Sequence, residues 1–95
     1  MEMINSPAEF EWDKCNIEHI RKHKVDPGEC EQVFFNIPLI LEPDLTHLYG
    51  EKRYFTLGKT GMDRILVVIF TVRKSKIRVI TARDANRKER LKYEA

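Results

Sequence analysis

Arginines, one histidine and one glutamate are the side chains of this 95-residue chain whose types and spacing could do chemistry. Arg64, Arg78 and Arg83 fall in or beside segments that read as strands, so strand parity says which of them are neighbours. A two-residue hairpin turn at Lys74-Ser75 pairs Arg73 with Lys76, Thr71 with Arg78, Ile69 with Ile80, Leu66 with Arg83 and Arg64 with Ala85. On that register Arg64 and Arg83 leave one face a diagonal step apart, and Arg78 leaves the other unless a bulge intervenes. A second hairpin around Thr60-Gly61 pairs Leu57 with Arg64 and Tyr54 with Val67, which brings Arg53 toward the same face. Converging guanidiniums repel one another and persist where an anion is expected. Phosphate is the natural anion, because the planar fork of donors matches its oxygens. The competing account is that strand-end arginines simply pair with Glu51, Asp44 or Asp63 at the surface.

His23 follows Lys22 at a helix end, and a histidine there suits general acid or base work near neutral pH. His19 and His23 are four apart, the spacing of a metal pair, but no HExxH pattern accompanies them and the third ligand would have to be His47. A solvated helix face is the stronger expectation, and neither a metal nor another cofactor is expected. No nucleophile elbow, Gly-rich phosphate loop or Cys/His nucleophile arrangement is visible. Cys15 and Cys30 are not in a CxxC pair, which points to reduced thiols rather than a disulfide framework or a zinc finger.

A specific scaffold must position these groups. Phe10-Glu11-Trp12 predicts a short strand, and Asp13 caps a helix over residues 14–24, with Trp12 and Ile17 at the spacing of a hydrophobic staple. Ile17 and Ile20 then face the core. Asp26, Pro27 and Glu29 open a second helix whose apolar stripe is Cys30, Val33 and Phe34. From residue 37 the pattern turns to strands over 39–41, 53–57, 64–73 and 76–83, with Pro43 ending the first and a loop over 46–51. Asp84 caps a closing helix over 85–94, whose only apolar residues beyond Ala85 are Leu91 and Tyr93. A helix that polar lies on a partner or frays. The expected class is α+β: a short N-terminal strand and two helices packed on a mainly antiparallel sheet of four to five strands, with a basic C-terminal helix. The expected layout is one domain over 1–95, flexible at 1–9. Two helices cover one sheet face and leave the other partly open, a surface suited to a polyanion.

Composition narrows the classes further. A chain that is 42% hydrophobic and 34% charged is an ordinary soluble globule, and no apolar run approaches the roughly 20 residues that span a bilayer. The start, Met1-Glu2-Met3-Ile4-Asn5, lacks the features of a secretory signal, so a cytoplasmic chain without membrane contact is expected. The net charge of +2 hides a division: residues 25–51 carry six acids and no base, whereas residues 52–95 carry thirteen bases against four acids. Such asymmetry points to a polyanion or an oppositely charged partner.

An ordered set of residues carries a likeness: Phe10-Glu11-Trp12-Asp13, Asn16, Lys22-His23, Val33-Phe34, Tyr49-Gly50-Glu51-Lys52-Arg53, Gly58, Arg64 with Leu66-Val67-Val68, Ile77-Arg78, Ile80-Thr81-Ala82-Arg83-Asp84-Ala85, Glu89 and Tyr93. From Phe10 to Glu94 the chain resembles the BrnT toxins, small ribonucleases of type II toxin–antitoxin pairs with a RelE-like fold. The resemblance implies metal-independent RNA cleavage in the cytoplasm, arrest of translation, and neutralisation by a cognate DNA-binding, BrnA-like antitoxin, DNA being touched only through that antitoxin. It places the functional positions at Lys22, His23, Glu51, Arg53, Arg64, Arg78 and Arg83, and Arg87 on the closing helix adds an RNA contact. Lys24 stands where the family usually has Gly, so the helix end and His23 with it could be altered, and Thr81 replaces a usual Ser.

The mechanism expected of this set uses His23 or Glu51 as the base that takes a ribose 2′-hydroxyl proton, so that O2′ attacks the adjacent phosphate and leaves a 2′,3′-cyclic phosphate. Arg64 and Arg83, with Arg78 or Arg53, would stabilise the phosphorane. The alternatives are a non-catalytic module that binds RNA or the ribosome, and an inactive homologue that acts only within an antitoxin complex. The antitoxin is expected on the basic surface or on the closing helix.

Overall fold

A computed structural model describes residues 9–43 and 51–95. Within them the chain runs α1 (Lys14–Arg21), α2 (Pro27–Phe35), β1 (Ile40–Pro43), β2 (Tyr54–Lys59), β3 (Ile65–Arg73), β4 (Lys76–Asp84) and α3 (Arg87–Glu94). The strands form one antiparallel sheet in the order β1-β2-β3-β4, so the α+β expectation holds. Phe10 to Trp12 does not form a full strand. Phe10 makes a single parallel bridge to Ile77, held by Glu11 N–H donating to Ile77 O and Ile77 N–H donating to Glu9 O, both at 2.8 Å. The expected loop over 46–51 and His47 lie largely outside the described residues.

Both helix starts follow from their cap residues. Asp13 Oδ1 accepts from Asn16 N–H at 3.1 Å, while Asn16 Oδ1 accepts from Asp13 N–H at 2.8 Å. Asn16 is buried and its Nδ2 donates to Glu11 O and Val79 O, which ties the start of α1 to the outer edge of β4. Glu29 Oε1 likewise accepts from Asp26 N–H at 3.0 Å at the start of α2.

The end of α1 differs from the expected helix over 14–24. The helix stops at Arg21, and Lys24 takes a left-handed φ of 60°. Val25 N–H donates to Ile20 O and Lys24 N–H to Arg21 O, the bond pair of a Schellman motif, and Val25 is fully buried behind it. The backbone therefore keeps the glycine-type geometry even though lysine occupies the position. Lys24→Gly is expected to raise stability by about 0.5–1 kcal/mol, because the steric cost of a left-handed Cβ disappears. A higher urea midpoint at unchanged slope is the readout.

Two hairpins set which face each strand residue occupies. Lys74 and Ser75 both have positive φ, 51° and 67°, as a two-residue type I′ turn needs, and Arg73 pairs with Lys76 and Thr71 with Arg78 as predicted. The register then shifts between Phe70 and Ile69: Phe70 faces Val79 but Ile69 faces Thr81, leaving Ile80 as the extra residue of a β-bulge. Beyond it β4 residues exchange faces. Arg83 consequently opposes Val67 rather than Leu66, on the face opposite to the one expected. The β2–β3 connection is also longer than a tight turn. Thr60 N–H donates to Arg64 O, and Thr60 Oγ1 accepts from the N–H groups of Met62 and Arg64, so Leu57 faces Val67 instead of Arg64 and Tyr54 faces Phe70.

The two faces bury separate cores. Ile20, Val25, Cys30, Val33 and Phe34 from α1, α2 and their connection pack on Leu66, Val68, Phe70, Ile77, Val79 and Ala82. Phe34 meets Phe70 edge-on at 5.1 Å between centroids, and burial pushes the Cys30 thiol up to about 12, which leaves it unreactive. On the other face Leu57, Ile65, Val67, Ala85 and Tyr93 form a smaller cluster under α3, and Tyr93 Oη donates to Pro38 O at 2.7 Å. That bond and burial dock the closing helix in spite of its polarity.

Helix α2 packs tightly on the sheet at Gly58, where a Cβ would stand 2.6 Å from Val33 Cγ1 and 3.3 Å from Val33 O. Only a residue without a side chain admits that approach. Gly58→Ala is expected to destabilise the fold by about 1–3 kcal/mol through overpacking, read as a lowered thermal midpoint.

Candidate functional site

Arg64 lies just before β3 and is a four-way junction. Its Nε and Nη2 donate to the two oxygens of Asp84 at 2.6 and 3.1 Å, and its Nη1 donates to Glu29 Oε1 at 3.0 Å and to Lys24 O at 2.8 Å. Nη2 also reaches His23 O at 3.4 Å. One guanidinium thus joins the end of α1, the first turn of α2, the start of β3 and the end of β4. Asp84 and Glu29 hold this arginine's pKa well above its ordinary value, and Arg64 in turn holds the Asp84 carboxyl below the usual carboxylate range. Its donors are committed within the protein, so what it fixes directly is the backbone of His23 and Lys24.

Arg83 reaches the same end of the sheet from the other face. Its Nη1 and Nη2 make a two-pronged pair with Glu89 at 2.8 and 3.0 Å, and Nη1 also donates to Asp84 O at 3.2 Å. Asp84 is therefore held by Arg64 through its side chain and by Arg83 through its backbone. The residue expected to cap α3 is instead the last residue of β4. The cap is Asn86, whose Oδ1 accepts from Glu89 N–H at 2.8 Å. Around this end stand Lys22, His23, Lys24, Arg87 and Lys88, all exposed. Among the described residues none of these lysines, nor Arg87, has an ion pair, so the end carries uncompensated positive charge.

Glu51 and Arg78 lie far from that end. Glu51 makes a two-pronged pair with Arg73 at 2.6 and 2.7 Å, and Arg73, Arg53 and Arg78 together hold its carboxyl below the usual range. Arg78 is largely buried and bonds to Asp13 at 2.8 Å and Glu11 at 3.5 Å, which joins β4 to the start of α1. From Arg64 to Arg73, β3 spans roughly 30 Å at about 3.3 Å per residue. The largest extent of the molecule is 32 Å, so His23 and Glu51 are at opposite ends and cannot act on one phosphate. The sequence-predicted set is split: His23, Lys22, Arg64, Arg83 and Arg87 gather at one end, and Glu51, Arg53 and Arg78 at the other.

Sequence reasoning missed Glu29, Asp84 and Glu89 as the partners of the arginines, and Arg73 as the partner of Glu51. Arg64 and Asp84 become neighbours only on the register that follows the bulge, which nothing in the order of residues announces. Glu29 had been visible as a first-turn acid, a role it keeps, whereas Glu89 had entered only through the family likeness and stands in the first turn of α3. The His19 and His23 rings are tilted with centroids 6.1 Å apart on an exposed helix side.

Fold and site together define a small α+β domain whose sheet ends in a guanidinium junction ringed by bases that have no ion pair among the described residues. The family model of the BrnT ribonuclease toxin of type II toxin–antitoxin systems matches residues 12–89. The chain belongs to that family, which makes it the ribonuclease toxin of a type II pair, with a cognate antitoxin as its partner. No curated protein matches it. Among the described residues no helix is long and apolar enough to cross a membrane.

Proposed function

We propose that the toxin cuts RNA by internal transesterification at the end of the sheet where β4 meets α1. His23 takes the 2′-hydroxyl proton, O2′ attacks the adjacent phosphorus, and the P–O5′ bond breaks as the 5′ oxygen takes a proton from water and leaves as an alcohol, yielding a 2′,3′-cyclic phosphate. Lys22, Arg83 and Arg87 offer positive charge to the phosphate as it gains charge. Arg64 acts as a positioning residue, because its guanidinium donates to the His23 and Lys24 carbonyls and bonds the two acids that anchor it. That junction is the observation that carries the proposal. Arg53, Arg73 and Arg78 around Glu51 form a second basic end that steers the distal strand, with no part in bond cleavage. The chemistry uses protein side chains alone.

Cleavage of messenger RNA in the cytoplasm would arrest translation. An antitoxin of the BrnA-like, DNA-binding kind would silence the toxin by laying an acidic segment over the same basic end, and DNA would be met only through that antitoxin. Purified toxin freed of antitoxin, incubated with RNA in chelator, should produce ends bearing a 2′,3′-cyclic phosphate. The same RNA with a deoxyribose at the cut site should survive. Cleavage of the deoxy substrate, or cleavage that vanishes with chelator, would refute the mechanism. One observation favours a second reading: Arg64, Arg73, Arg78 and Arg83 all have carboxylate partners, as in a module that binds RNA without cutting it. RNA retained without new ends in the same assay would establish that reading.

A further inference from the structure

A groove of about 430 Å³ runs between α3 and the β1–β2 edge, and it begins where the catalytic end stops: Glu89, which holds Arg83, also lines it. Phe55, half-buried on β2, lines the groove together with Pro43. Across it stand Glu42 and Lys92, paired at 2.9 Å, both about half exposed. Asn86 and Lys88 line the mouth. Asn86 caps α3 through its Oδ1, and among the described residues its Nδ2 has no bond.

We propose that this groove takes a guanine base of the RNA, next to the scissile phosphate, and so sets where the toxin cuts; the inference rests on the catalytic end proposed above. The volume is in the range of small-molecule sites. Phe55 supplies an aromatic surface of the kind on which unstacked RNA bases stack. The Glu42–Lys92 pair presents an acceptor and a donor side by side. Guanine presents the complement on one edge: N1–H and N2–H donate to the carboxylate while O6 accepts from the ammonium. Adenine, with one amine and a bare ring nitrogen there, offers the carboxylate a single donor, and uracil offers one N–H between two carbonyls. The ion pair is exposed, so exchanging Lys92 for a base costs little. Lys88 at the mouth, with Arg87 beside it in the chain, meets the flanking phosphates.

The test uses the full chain without antitoxin, titrated with guanosine, adenosine, cytidine and uridine monophosphates while amide NMR signals are followed. Guanosine monophosphate should bind at least tenfold tighter than the others, with its shifts centred on Glu42, Phe55 and residues 86–92. Glu42→Gln, at an exposed position on an edge strand, should abolish that preference while the spectrum stays folded, and Phe55→Leu should weaken binding about tenfold. Equal affinity for the four nucleotides, or a preference that Glu42→Gln leaves intact, would overturn the proposal. A parallel cleavage assay separates the two claims. Guanine binding in the groove without RNA cleavage keeps the groove and removes the catalytic reading. Cleavage with no guanine enriched beside the cut does the reverse.

Discussion

His23→Gln is expected to slow RNA cleavage by about 10²–10⁴-fold, the range spanned by a general acid–base group, while leaving the thermal midpoint within about 1 °C of the parent. Cleavage and stability separate here because the His23 side chain is exposed, with only a ring contact to His19 at 6.1 Å among the described residues, and the residue enters the fold through its backbone. Its N–H donates to Ile20 O and its carbonyl accepts from Arg64, and neither bond changes when the ring is replaced. Single-turnover rates on one RNA, set beside melting curves, check both halves. An intact rate would move the base elsewhere, and a lost fold would make the residue structural.

Arg64→Ala is expected to act on both. Its side chain is only 25% exposed, and removing it leaves Glu29 and Asp84 without their cation and two carbonyls without a donor. A cost of about 2–3 kcal/mol follows, below the range for a fully buried pair because Asp84 remains largely in water. For a domain of this size that lowers the thermal midpoint by roughly 10–20 °C. Measured well below that midpoint, cleavage should still fall about 100-fold, mainly in kcat, because the His23 backbone loses its anchor. Arg64→Lys keeps the charge but cannot make four directed contacts, so it should recover stability more than rate. The pH dependence has a definite sign. Arg64 lowers the folded-state pKa of Asp84, so that contribution is present above the ordinary carboxylate pKa and is lost as pH falls through the lowered value. The stability gap between parent and Arg64→Ala should therefore narrow in acid.

Much of the scaffold was legible because the determining interactions are local. The Asp13 and Asp26 caps, the stripe of Cys30, Val33 and Phe34, and the Lys74-Ser75 turn each depend on residues a few positions apart, and each is present. How the candidate residues are arranged was less legible than the scaffold. Face parity carries a pairing along a strand only until a residue is inserted, and the bulge at Ile80 reverses Arg83. The connection at Thr60-Gly61 likewise shifts β2 by three residues, because Thr60 Oγ1 accepts from Met62 and Arg64 N–H and holds a longer loop than the dipeptide alone announces. Glu51 was an alternative base because the family likeness placed it among the functional positions, whereas the length of β3 puts it at the end far from His23, paired with Arg73. Glycine was the residue expected where Lys24 stands; the position is left-handed, a geometry that suits glycine and that lysine tolerates at a modest cost.

On the proposed mechanism RNA is cut at the His23 end of the sheet and not at the Glu51 end. Its most direct test is NMR shift mapping of the full chain with a short RNA made uncleavable by 2′-O-methyl at the cut site. The largest shifts are expected at His23, Arg64, Arg83 and Arg87. Shifts centred on Glu51, Arg73 and Arg78, with the His23 end unmoved, would contradict it.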